Sequence, residues 1–93
     1  MSEEATSESG QPGLEELQEQ LRRLRQEERE VVEQISRLQA EVSRSRGQER
    51  RRAQMNLSAA LPALQVQRQR LRAEIFRLDQ QIQTLRKERG EVQ

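Results

Sequence analysis

The side chains best equipped for recognition chemistry are five arginines set close together: Arg44, Arg46, Arg50, Arg51 and Arg52. A guanidinium is planar, permanently charged and shaped to fork onto phosphate or carboxylate. Presented together, such groups bind nucleic acid, an acidic protein surface or lipid head groups. The plainer reading of the same stretch is a solvated loop. The 16 carboxylates fall at helix-surface spacings, with no cleft to shift their affinity for protons. The chain has no Cys and no His, which excludes thiol nucleophiles, imidazole bases, disulfides and Cys/His metal sites. Gly10 and Gly13 fit no phosphate-cradling loop. The expectation is a protein that is not an enzyme and uses no cofactor, metal or small-molecule substrate.

The elements that position these residues are written in leucine. Leu14, Leu17, Leu21, Leu24, Val31, Ile35, Leu38 and Val42 form one run in steps of three and four. Leu57, Leu61, Leu64, Leu71, Ile75, Leu78, Ile82 and Leu85 form a second. That spacing lays each set along one edge of a helix, as in a coiled-coil seam. Composition agrees: 35% of the 93 residues are charged, 31% are hydrophobic and Phe76 is the single aromatic.

The boundaries follow from local chemistry. Residues 1–13 have no apolar period and read as a disordered acidic tail. Pro12 and Gly13 open a first coiled-coil helix over 14–45, whose Glu15 and Glu16 suit the positive end of its dipole. Residues 46–57, with Gly47 and the arginines, read as a basic turn and linker. Pro62 sets the start of the second helix, because proline is tolerated in a first turn and disrupts an interior. With Ser58 as N-cap, that helix spans 58–89 and Gly90 closes it, leaving 90–93 as a tail.

A basic stretch followed by leucines every seven residues invites comparison with basic-leucine-zipper proteins. That family reads DNA from a rigid helix with an Asn, paired alanines and an Arg at fixed spacing. Here Gly47, the lone Ala53 and Pro62 depart from the pattern.

Charge and length favour folding back. Residues 1–42 hold 11 acidic and 5 basic groups, and residues 43–93 hold 5 acidic and 12 basic groups. Antiparallel pairing lays the acidic half along the basic half. It layers Leu14 on Leu85, Leu17 on Ile82, Leu21 on Leu78 and Leu24 on Ile75. The polar interruptions Glu28 and Arg68 then fall in adjacent layers with opposite charge. A parallel dimer would stack each on its own copy, which is costly in a seam. Two extended chains exchanging halves would form the same layers, and the polar turn at Gly47 favours the hairpin.

A second stripe, Ala59, Pro62, Val66, Ala73 and Phe76, lies on the opposite face of the second helix. Two helices bury only one face each, against the large entropy of ordering them. The expected architecture is therefore all-α: an antiparallel coiled-coil hairpin that assembles into a helical bundle. The expected function is a non-catalytic adaptor or structural subunit that docks partner helices, or itself, through the second stripe. The alternatives are a nucleic-acid or acidic-surface binder using the arginines of 44–52, and a self-assembling scaffold. No apolar run reaches the roughly 18 residues that span a bilayer, and the acidic start is unlike a secretory signal. The expected location is cytoplasmic or nuclear.

Overall fold

The computed structural model describes residues 13–90. Two helices, α1 (Leu14–Arg44) and α2 (Gly47–Glu88), pack against each other as a helical hairpin. The expected N-terminal tail, apart from Gly13, and residues 91–93 of the C-terminal tail lie outside the described residues. No described helix is long and apolar enough to cross a membrane.

The core is the seam read from the leucines. Toward the open end, Leu17, Leu21, Leu78 and Ile82 are buried together, with Leu14, Leu24, Ile75 and Leu85 packed on them. Nearer the turn, Val31, Leu64 and Leu71 form a second buried group that Leu24, Ile35, Leu38 and Ala60 complete. Each leucine removed from water contributes roughly 1.5–3 kcal/mol, so the seam, rather than helix propensity, holds the pair. The acid-first pairs on α1 also form: Glu19 lies 3.8 Å from Arg23 and Glu33 lies 3.9 Å from Arg37. Both are exposed and contribute only a few tenths of a kcal/mol each.

The turn differs from the expected 46–57 linker. Only Ser45 and Arg46 leave the helical conformation, and both are extended. The Ser45 amide donates to the carbonyl oxygens of Glu41 and Val42, at 3.1 and 3.4 Å, and its hydroxyl donates to the Glu41 carbonyl at 2.7 Å. These bonds occupy carbonyls that the end of α1 would otherwise leave open. Gly47 then takes φ +60°, a left-handed conformation that side chains other than glycine's resist, and α2 begins. The first turns of α2 carry Arg50, Arg51 and Arg52 exposed and Ala53 buried.

Helix α2 therefore starts before Ser58 and runs through Pro62. An interior proline costs about 3 kcal/mol because it removes an N–H and crowds the carbonyl four residues back. Burial on both sides offsets this cost. Ala53 is buried and Leu57 half-buried before the proline, and Leu64 and Leu71 are buried after it. Pro62 itself is exposed, so the carbonyl it leaves unpaired is on the side where water can bind it. At the other end, Gly90 closes α2 with φ +78°, its amide donating to the Lys87 carbonyl at 3.0 Å.

Candidate interaction surfaces

Three groups of polar or exposed residues survive once the seam is accounted for: a charged cluster inside it, the arginine tip and the outer face of α2.

The charged cluster is built on Glu28. Its Oε2 accepts a hydrogen bond from Arg72 Nε at 3.1 Å and lies 3.8 Å from Arg68 Nε. The expected pair of Glu28 and Arg68 is thus brought together, but the hydrogen bond goes to Arg72. Arg72 sits one turn beyond Arg68 on the same side of α2, a neighbour that its i+4 spacing announces. Arg68 Nε is buried without a hydrogen-bond partner. One carboxylate thus serves two guanidiniums, and most of the Glu28 side chain is shielded, with 24% exposed. The cluster ties the two helices across the polar layers of the seam. Arg25 and Asp79, on opposite helices, line a shared shallow groove without forming an ion pair.

The arginine tip is helical rather than a loop. Arg50, Arg51 and Arg52 stand on the first turns of α2, and Arg46 is the residue before its start. Arg44 is held by Glu41 at 3.1 Å. All five arginines are exposed, and four of them, Arg46, Arg50, Arg51 and Arg52, form no ion pair among the described residues. Continuity of α2 through this stretch removes one departure from the basic-leucine-zipper pattern. The seam leucines nevertheless lie against α1 of the same chain and do not form a free zipper.

The outer face of α2 carries the second stripe. Ala59, Pro62, Val66, Ala73 and Phe76 are all exposed, with Phe76 at 65% and Val66 at 55%. Met55, 66% exposed and four residues before Ala59, extends the stripe toward the tip. Its place on the stripe is legible in that spacing alone. Two further residues were missed. Ser45 and Ala53 are buried at the turn, where their small side chains fit. Ala53 could have been found as the position four before Leu57.

The fold class these features define is all-α, a two-helix hairpin with a second, uncovered apolar face. No protein-family model matches the chain, and no curated protein or solved structure matches it.

Proposed function

We propose that this protein is a non-catalytic coiled-coil adaptor or structural subunit that joins partner helices into a larger assembly. The observation that carries this reading is the outer face of α2. Met55, Val66 and Phe76 are the large hydrophobic residues left exposed among the described residues, and all three lie on that face. A lone aromatic on an otherwise polar surface is a natural interface anchor. Hairpins of this kind bury one side of each helix, and a further helix on the uncovered side supplies the missing burial. The test is the mass of the particle that carries the full-length protein in cells, by sedimentation. The expected particle is heavier than the 11.0 kDa chain. Phe76→Asp reduces it to the free protein while leaving helical circular dichroism intact. An unchanged particle mass in the variant refutes the reading.

A second reading rests on the tip, where four exposed arginines in no ion pair among the described residues can meet phosphates or carboxylates. Under it, the protein binds a short RNA or DNA duplex at low salt, and the affinity falls as salt rises. Replacing Arg50, Arg51 and Arg52 with Gln removes that binding. No measurable binding by the unaltered protein at low salt disposes of this second function.

A further inference from the structure

The outer face of α2 also specifies the kind of helix that fits it. From Met55 the stripe passes Ala59, Pro62, Val66, Gln69, Ala73 and Phe76 in steps of four and three without meeting a charge. The positions that border it are charged from residue 70 onward. Heptad spacing places Arg70 and Arg77 along one edge, and Arg72, Asp79 and Arg86 along the other. Arg70 and Arg77 are exposed and in no ion pair among the described residues. Over its length α2 carries nine basic and four acidic side chains.

The relief of the face is equally particular. Two shallow depressions open on the stripe. One is lined by Met55 and Ala59 together with Arg51. The other is lined by Pro62, Ala63 and Val66 together with Arg70. Small side chains thus leave hollows, each with an arginine beside it. Large side chains from a facing helix fill such hollows, and carboxylates next to them meet the guanidiniums.

A second copy of the chain does not meet these requirements. In a parallel pair the flanking positions bring Arg72 of one copy against Arg77 of the other. In an antiparallel pair with Phe76 over Ala59, Val66 faces Gln69 and Met55 faces Gln80, so few large apolar groups meet. The flanking Arg70 and Arg77 then face Ala63 and Asn56, and neither finds an anion.

We propose that the outer face of α2 takes a helix of a different protein, one that presents large aliphatic residues along its seam and Asp or Glu at the flanking positions. The proposal rests on the reading of this face as a docking surface and adds the chemistry of its occupant. Because the two seams of α2 lie on opposite sides of the helix, the third helix extends the hairpin into a row of three. Within that row α2 is the shared middle.

The test uses two synthetic helical peptides of about four heptads, both with Leu at the seam positions. One has Glu at every flanking position and the other has Lys. Each is titrated into the full-length protein, with binding read by calorimetry at low and at physiological salt. The expected result is binding of the Glu peptide at least about tenfold tighter than the Lys peptide. Phe76→Asp lowers binding of the Glu peptide by about tenfold or more. Arg70→Glu combined with Arg77→Glu reverses the preference. Both sites are exposed and away from the seam, so helicity is retained. Equal binding of the two peptides, both lost with Phe76→Asp, overturns the charge selection and leaves the docking surface standing. Peptide binding unaffected by Phe76→Asp overturns both. Sedimentation showing a dimer of the protein alone, dissociated by Phe76→Asp, assigns the face to a second copy or a scaffold and also overturns the proposal.

Discussion

Helix α2 has two apolar faces that run side by side along the chain and end differently. The inner face places leucine or isoleucine at almost every step, and its partner leucines arrive on α1 of the same chain. The outer face has the same periodicity but is built from alanine, proline, valine, glutamine and one phenylalanine, and it stays exposed. Periodicity alone therefore says which residues share a face, while side-chain size says which face closes first. A leucine seam buries enough area to close within the chain. A seam of small residues gains little by closing on itself, and it keeps room for a helix that brings the bulk.

The comparison can be broken first at its inner side. Leu71→Ala, at a buried position in the group nearer the turn, destabilises the hairpin by about 2–4 kcal/mol. Thermal unfolding followed by circular dichroism reads the loss, and an unaltered melting curve contradicts the seam. Pro62→Ala acts in the opposite direction. It restores an amide donor and removes the ring from the interior of α2, so stability rises by up to about 3 kcal/mol. A lower melting temperature would show that the ring is packed rather than merely tolerated.

The polar layers come next. Glu28→Gln leaves Arg68 and Arg72 without an anion in a partly shielded site and costs about 1–2 kcal/mol. Denaturant titration measures it. A loss no larger than that of an exposed α1 variant such as Glu30→Gln would show that water already screens the cluster. The smallest effect on folding belongs to the outer face. Phe76→Asp changes the stability of the isolated hairpin by no more than about 0.5 kcal/mol, because Phe76 is 65% exposed and belongs to neither buried group. A larger loss in the same titration would place Phe76 in the fold rather than on its surface.

Most of the seam could be read from residue types. Leu14 as the start of α1, Gly90 as the close of α2, the fold-back and the nearness of Glu28 to Arg68 all follow from spacing and charge. The turn could not be read in the same way. Gly47 and a run of arginines resemble a loop by composition, and Pro62 resembles a helix start by local preference. Both impressions are local. What overrides them is tertiary: Ala53 is buried and Leu57 half-buried on turns of α2 that precede Ser58. Small buried residues such as Ala53 and Ser45 carry weak sequence signals, so burial reaches farther toward the tip than the leucines show. The outer stripe was readable as a pattern, but its exposure, its extension to Met55 and the hollows beside Arg51 and Arg70 required coordinates.

The central claim is that α2 binds inward to its own chain and outward to another. Photo-crosslinking tests it most directly, with benzoylphenylalanine placed at position 76 of the full-length protein in cells and, as a control, at Gln26 on the exposed side of α1. The account predicts an adduct with a second polypeptide from position 76, formed with the hairpin intact, and none from position 26. Adducts that form equally from both positions, or that join position 76 only to its own chain, would contradict it.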